Sequence, residues 1–316
     1  MRNYVIRRIA LLIPTVLAVC ILVFSLMHII PGDVVLARLE NVGLVTPETI
    51  ERLRSQLGID RSFAAQLGDW LWGLVRGDLG VSLWTLQPVT NHIFYALPIS
   101  IELVLGGMLL GILVGVPLGV VSAMRHNTPV DNTARTISVL GLSVPDFWIA
   151  TILLLYLSRW LGYAPPIGYS TFLEDPLRNL QQLALPMAIL GFRLIATTAR
   201  MTRSTMLEVL HEDYIRTARS KGLRESSILH RHALRNALLP VVTLQGTHLG
   251  YLLGGTIVLE NIFSLPGMGK LAFDSINRRD YTQLQGTILF LAFIQIGLNL
   301  FVDVCYSWLD PRIRYR

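Results

Sequence analysis

The sequence predicts an all-α membrane protein with six transmembrane helices, a long external segment after the first span, and a polar, patterned loop between the fourth and fifth. Three observations carry this. Hydrophobic residues make up 52% of the chain and charged ones only 15%, against roughly 25% charged in ordinary soluble domains, and the mean hydropathy is +0.52. Six apolar stretches, 9–30, 98–123, 137–161, 183–199, 238–259 and 285–308, match the about 20 residues needed to cross about 30 Å of hydrocarbon. The bases also sort by loop: Arg2, Arg7 and Arg8 precede the first stretch, seven Arg and Lys221 lie between Arg200 and Arg235, and Arg312, Arg314 and Arg316 end the chain.

With six spans, those three basic regions share one face, which the positive-inside rule makes cytoplasmic. Both termini then lie in the cytoplasm. Asp33, Glu40, Glu48, Glu51, Asp60, Asp69 and Asp78 fall on the opposite side. The net charge of +6 thus reflects membrane topology, and no single basic stripe points to nucleic acid. The first stretch follows two arginines as a signal peptide does, but it exceeds the roughly 7–15 apolar residues of a cleaved signal and reads as a span. Cys20 and Cys305 fall inside spans without metal-ligand spacing and read as small apolar packers.

Residues 31–97 form the external segment. A helix is expected over 46–57, with Thr46 as N-cap, Pro47 at the first helical position and Glu48 in the first turn. Trp70, Trp72 and Trp84 suit a helix lying along the membrane interface, or one closing over the mouth of a pathway. The segment lacks a core of its own and reads as a scaffold or cap.

The second span carries Gly107, Gly111, Gly115 and Gly119, and the fifth carries Gly246, Gly250 and Gly254. A four-residue period lines each set along one helical stripe, where another backbone can approach closely. Simple packing accounts for such stripes; the sharper expectation is that these two helices meet at a moving interface. In the third span Gly141-Leu-Ser-Val-Pro145-Asp146-Phe147-Trp148 interrupts the apolar run. Proline frees a carbonyl that neighbours or water must satisfy, and such a kink can line a cavity. After the fifth span, Glu260-Asn261-Ile262-Phe263-Ser264-Leu265-Pro266-Gly267-Met268-Gly269-Lys270 makes a sharp turn, expected to re-enter or fold over the external mouth, and Arg279-Asp280-Tyr281 precedes the last span.

In the cytoplasmic segment Leu207, Leu210, Tyr214 and Ala218 recur three and four residues apart, placing them on one helical side with Glu212, Arg216 and Arg219 largely elsewhere. Gly222 can take the left-handed conformation that ends this helix. Ile228, Leu229, Ala233 and Leu234 then begin a second helix returning to the bilayer. The product is a short helix across the cytoplasmic mouth with its tip exposed, a form suited to meeting a soluble partner.

Asp213-Tyr214-Ile215-Arg216-Thr217-Ala218-Arg219-Ser220-Lys221-Gly222-Leu223, followed by His232 to Pro240, resembles the EAA coupling loop of type I ABC importer permeases, in the form used by the dipeptide, oligopeptide and nickel branch. Further matches are Tyr4 to Arg8, Pro31 to Asp33, Gly80 to Ser82, Gly141 to Pro145, Glu260 to Gly269, Arg279 to Tyr281 and Asp310 to Arg312, so the resemblance runs over nearly the whole chain. Arg216 and Thr217 stand at the first two EAA positions, leaving Ala218 and Gly222 as matches, and His232-Ala233-Leu234-Arg235 replaces the later Ile-x-Leu-Pro element. Both departures are similar to the peptide branch.

This resemblance implies a domain order: a span plus external scaffold over 1–94, a type 1 ABC transmembrane domain over 95–308 with the coupling loop at 207–236, and a cytoplasmic tail at 309–316. It implies a multi-pass bacterial inner-membrane protein working as a heterodimer with a second permease, above two ABC ATPase subunits and below an external substrate-binding protein. It implies a chain with no catalytic residue, no metal and no cofactor of its own, with ATP and Mg held by the partner ATPases, in agreement with the lack of a Gly-x-x-x-x-Gly-Lys-Ser/Thr loop in the sequence. The ATPase-coupling residues it implies are Glu212, Asp213, Tyr214, Arg216, Thr217, Ala218, Arg219, Lys221, Gly222 and Leu223. The external gate and its loop draw on Glu260, Asn261, Phe263, Pro266, Gly267, Gly269, Arg279 and Asp280. Short peptides are the expected cargo, with nickel, a metallophore complex or an opine-like solute as the alternative.

Ionisable groups inside spans are costly and mark a pathway or a pairing. Here they are His28, Glu102, Asp146, Arg193, His248 and Asp303. Glu102 and Asp303 lie near span ends, where interfacial solvation serves; Arg193 sits deeper and calls for either snorkelling or an ion pair. His28 and His248 read as hydrogen-bonded, since no two histidines stand four apart on a helix as metal ligands do. For Glu260 and Asn261 the readings are helix capping or contact with released cargo. A channel or secondary transporter would show a pore motif or paired broken helices in inverted repeats, and an intramembrane enzyme a Gly-x-Ser-x-Gly elbow or His-Glu-x-x-His pair; neither pattern stands out.

Overall fold

Prolines and polar caps decide where the long apolar helices start, bend and stop. The structure, a computed structural model, describes residues 2–29, 48, 51, 60–166 and 168–309, with only the backbone described for the helical residues 2–9 and 303–309. In order, the helices are α1 (Arg2–Ile29), α2 (Phe63–Val75), α3 (Val89–Met124), α4 (Pro129–Ser143), α5 (Asp146–Leu161), α6 (Pro176–Leu210) and α7 (Asp213–Ser220). A helical turn Glu225–Ser227 and a π-helical segment Ile228–Ala233 lead into α8 (Leu234–Gly255), followed by α9 (Ile257–Ile262), α10 (Met268–Asn277) and α11 (Tyr281–Leu309). Among the described residues, an antiparallel bridge between Val81 and Pro88 is the one extended pairing. The expected helix over 46–57 lies outside the described residues apart from Glu48 and Glu51, as do Pro31 to Asp33 and Asp310 to Arg312.

Among the described residues, four helices are long and apolar enough to cross a membrane: Ala10–Ile29 of α1, α3, α6, and Tyr281–Val302 of α11. The α4–α5 pair makes a fifth when its halves are counted together across a 96° bend. That bend corrects the expected third span at 137–161, which is no single straight helix. Proline lacks an N–H and drives the residue before it out of the helical region; Val144 accordingly takes φ −91, ψ 125 and Pro145 φ −65, ψ 138 before α5 begins. The expected fifth span at 238–259 falls on α8 and α9, which are not among the apolar helices; Gln245, Thr247 and His248 interrupt it.

The chain divides into two units, Met1–Pro98 with Pro266–Arg316, and Ile99–Leu265. In the first, α1 and α10 each pack on α11. Val89, Ile93, Ala96 and Met268 form one buried cluster, and Met27, Ala272 and Leu284 another. Ser62 caps α2 by accepting from the Ala65 N–H, and Phe24, His28, Phe63 and Trp70 stack where α2 meets α1. No residue of α2 is fully buried, and Trp72 is exposed.

The second unit is organised around α6, against which α4, α5 and α8 pack. Asp175 caps this helix by accepting from the Arg178 N–H at 3.0 Å, with Pro176 in its first turn. Gly162 ends α5 in the left-handed conformation, at φ 61, where a side chain would be strained.

Candidate functional site

The polar loop after α6 is built on a small apolar root. Ile215 and Ala218 of α7 are buried together with Met206, Ala123, Ile228, Leu229, Ala233 and Ala237. Burial of one α7 face leaves Glu212, Asp213, Arg216, Thr217, Arg219, Lys221, Gly222 and Leu223 exposed. The sequence pattern had continued one helix through Leu207, Leu210, Tyr214 and Ala218. Instead α6 ends at Leu210, His211 and Glu212 break the helix, and the phase resets. Ile215 therefore takes the buried place expected for Tyr214, which is 42% exposed, its hydroxyl accepting from Asn236 Nδ2 at 2.8 Å.

Gly222 sits at φ 75 with open space around its missing Cβ. The Leu223 N–H reaches back to the Ala218 carbonyl at 3.3 Å, and the Gly222 N–H to that of Arg219 at 2.9 Å. Across this turn Arg219 Nε donates to Glu225 Oε1 at 2.8 Å, while Arg216 and Asp213 pair at 3.3 Å on the exposed face. The π-helical segment that follows buries Ile228, Leu229 and Ala233, and such interruptions recur at functional sites.

Beside this root stands a clamp that sequence reasoning missed. Asp131, fully buried, accepts from Arg203 Nε at 2.7 Å and Nη2 at 2.8 Å, from Ser122 Oγ at 2.6 Å and from the Asn127 N–H at 3.0 Å. It joins the end of α3, the start of α4 and the last third of α6. Arg203 had been read only as one of the topology-setting bases, and its spacing from Asp131 carries no local signal.

The glycine stripe of α3 packs on α6. A Cβ at Gly119 would stand 2.6 Å from the Ala199 carbonyl oxygen, and one at Gly115 2.9 Å from that of Ile195; Gly107 and Gly111 face Leu190 and Leu194. The expectation that this stripe meets the one on α8 is thereby corrected: Gly254 has nothing within 4 Å, and α8 packs on α6. Gly250 is buried and Gly246 partly so.

Of the expected external gate residues, those in the second unit turn inward. Glu260 is fully buried, accepting from Ser100 Oγ and Thr256 Oγ1, each at 2.7 Å, and Asn261 Nδ2 donates to the Ile257 carbonyl. Phe263 is buried too. Glu260 thus bonds two side-chain hydroxyls instead of a helix end, and Asn261 bonds the carbonyl four residues before it. In the first unit Gly267 and Gly269 begin α10 beside Pro266, Arg279 holds a left-handed φ of 53, and Asp280 caps α11 by accepting from the Gln283 N–H. Asp280 also accepts from Ser82 Oγ and the Leu83 N–H, so the Gly80 to Ser82 and Arg279 to Tyr281 motifs form one structure.

Of the intramembrane ionisable groups, His28, Glu102, Asp146 and Arg193 are paired or bonded, whereas His248, expected to be hydrogen-bonded, has a buried Nδ1 without a hydrogen-bond partner. His28 Nδ1 lies 2.9 Å from the Phe24 carbonyl, and Glu102 accepts from Asn179 Nδ2 at 2.7 Å. Nearby, burial and then the Glu102 carboxylate push the Tyr169 phenol above its ordinary range. Arg193 donates to Asp146 at 3.4 Å. The side chain of Asp303 lies outside the description.

Residues 115–315 match the family described as binding-protein-dependent transport system inner membrane component, and residues 1–104 match its N-terminal membrane component. A protein named as a peptide transport system permease in Brucella abortus (strain 2308) is 45% identical, with 100% of both chains covered. The glutathione transport system permease of Pectobacterium atrosepticum is 40% identical and the dipeptide transport system permease of Escherichia coli (strain K12) 38%, again with 100% of both chains covered. Among solved structures, an inward-facing MetNI methionine ABC transporter aligns with a TM-score of 0.55 at 16% identity, over 70% of this chain and 97% of that one. An amino acid ABC transporter aligns with a TM-score of 0.53 at 16% identity, over 71% and 95%.

Proposed function

Since the chain belongs to the binding-protein-dependent permeases of ABC importers, in the dipeptide and oligopeptide family, we propose that it translocates short peptides across the inner membrane. It does so as one of two paired permeases, driven by two ATPase subunits that hold ATP and Mg and fed by an external substrate-binding protein. The full-length match to relatives named for peptide, dipeptide and glutathione transport supports peptide cargo over nickel or an opine.

The exposed face of α7 on its buried root carries the coupling reading. With the basic loops on the cytoplasmic side, as the positive-inside rule expects, this face lies toward the motor. Closure of the ATPases pushes on Asp213, Arg216, Arg219 and Lys221, and the root formed by Ile215, Ala218 and Met206 passes that motion to α6 and α8. Packed helices with two discrete arrangements then switch the pathway between inward-open and outward-open states.

The test is reconstitution. Vesicles holding the four membrane and ATPase subunits, supplied with binding protein and a labelled dipeptide, should accumulate peptide only with ATP. Accumulation by this chain alone, without a hydrolysing subunit, overturns the reading.

A further inference from the structure

Arg193 lies inside the expected span 183–199 of α6, ten residues from its outer end and six from its inner end, about 9 Å at 1.5 Å per residue. Its side chain is nevertheless 58% exposed, against 18% for Asp146. A charge facing hydrocarbon at that depth is costly, so such residues face a bundle interior or a water-filled cavity.

The pair is also loosely made. Arginine has five N–H donors in a planar fork that suits a carboxylate, yet here one bond of 3.4 Å joins it to Asp146. Buried polar atoms also lack partners, at Oδ1 of Asp146 itself and, on α8, which packs on α6, at Gln245 Oε1 and His248 Nδ1. Gln245 is 96% buried, its exposure being 4%, and its amide nitrogen already donates to Thr198 Oγ1; His248 lies within electrostatic reach of Arg193. Buried polar groups are ordinarily satisfied, and a cluster that is not marks where water or a polar solute sits. Asp146 opens α5 just past the 96° break, so the Asp146–Arg193 pair stands where the backbone itself is interrupted.

We propose that Asp146 and Arg193 form a transit subsite for peptides with free termini. The cargo carboxylate replaces Asp146 as the partner of Arg193, and the cargo ammonium takes Asp146 Oδ1, with Gln245 and His248 bonding the peptide's polar groups. The subsite rests on the permease reading above and assigns that reading a substrate class, zwitterionic peptide, and named contacts.

The test uses the assembled transporter in vesicles. Thr197→Cys, one helical turn from Arg193 on α6, in a background without the two native cysteines, is treated with a membrane-impermeant thiol reagent with and without alanyl-alanine or its N-acetylated, C-amidated form. The introduced thiol should react, and alanyl-alanine should slow the reaction at least threefold while the capped form does not. In parallel, Arg193→Gln should lower alanyl-alanine uptake about tenfold with ATP hydrolysis retained, and Arg193→Lys should recover part of it. Asp146→Asn, which keeps the side chain's size, should reduce uptake of alanyl-alanine more than that of N-acetyl-alanyl-alanine. A thiol that is inert in every nucleotide state, as it would be if the pair faced the second permease, overturns the subsite. Equal uptake by Arg193→Gln and the unaltered chain does so too. If the unaltered transporter shows no ATP-dependent uptake in the same vesicles, the permease reading itself fails.

Discussion

Arg203 grips the Asp131 carboxylate with two hydrogen bonds, 2.7 Å from Nε and 2.8 Å from Nη2, and ties the start of α4 to the last third of α6. Both groups stand next to the apolar root of α7, which includes Met206, three residues beyond Arg203. On the coupling reading proposed above, a push on α7 reaches a helix pair joined by a fork of charge-assisted bonds.

Asp131→Ala removes one side of a buried pair and leaves the Arg203 guanidinium without its counter-charge, a change that costs about 3–5 kcal/mol in comparable cases. We expect a clear drop in the thermal unfolding temperature of the purified transporter. The double variant Asp131→Ala, Arg203→Met should lose less than the two single losses added, because the stranded charge is gone. Additive losses would show that the two side chains do not hold each other.

Gly222→Asn should be tolerated, since asparagine visits the left-handed region and nothing stands within 4 Å of the added Cβ. Gly222→Pro forces φ to about −65°, against 75 in the structure, and redirects the chain between α7 and the π-helical segment. It should insert and assemble but hydrolyse ATP without peptide uptake. Full uptake by the proline variant would remove the turn from the coupling path.

Arg219→Glu faces Glu225 with a like charge across the same turn. The original pair is exposed at 46% and 61%, so its contribution to stability is at most about 1 kcal/mol and folding should hold. Uptake should fall, and Arg219→Glu with Glu225→Arg should restore the turn but not the sign of the face offered to the ATPase. Comparing uptake of the single and double variants separates turn geometry from docking charge.

Gly119→Ala places a methyl group 2.6 Å from a backbone oxygen of α6, and overpacking of that kind costs about 1–3 kcal/mol. Gly254→Ala meets nothing within 4 Å and should be neutral or stabilising, by up to about 1 kcal/mol from helix propensity. Thermal unfolding of the two variants side by side checks the pair, and a destabilised Gly254→Ala would contradict the open space there.

Local chemistry alone determined much of this protein. The long apolar runs gave α1, α3, α6 and α11, the patterned loop announced an exposed helix ending at Gly222, and Pro145 marked a break, because span length, left-handed glycine and the missing proline N–H are properties of short segments. What the tertiary structure decided are the relationships between distant segments. Asp131 and Arg203 are 72 residues apart and Ser82 and Asp280 are 198 apart, and neither pairing leaves a periodic trace. A charge in a sequence shows its sign but not its partner, so Arg203 reads as a topology base until α4 brings Asp131 against it. The same holds for the glycine stripe of α3, whose period marks a close approach while only the packed helices show that it meets α6. Even the phase of α7 needed the fold: two residues of broken helix exchange Tyr214 for Ile215, since helical spacing predicts a buried face only while the helix continues.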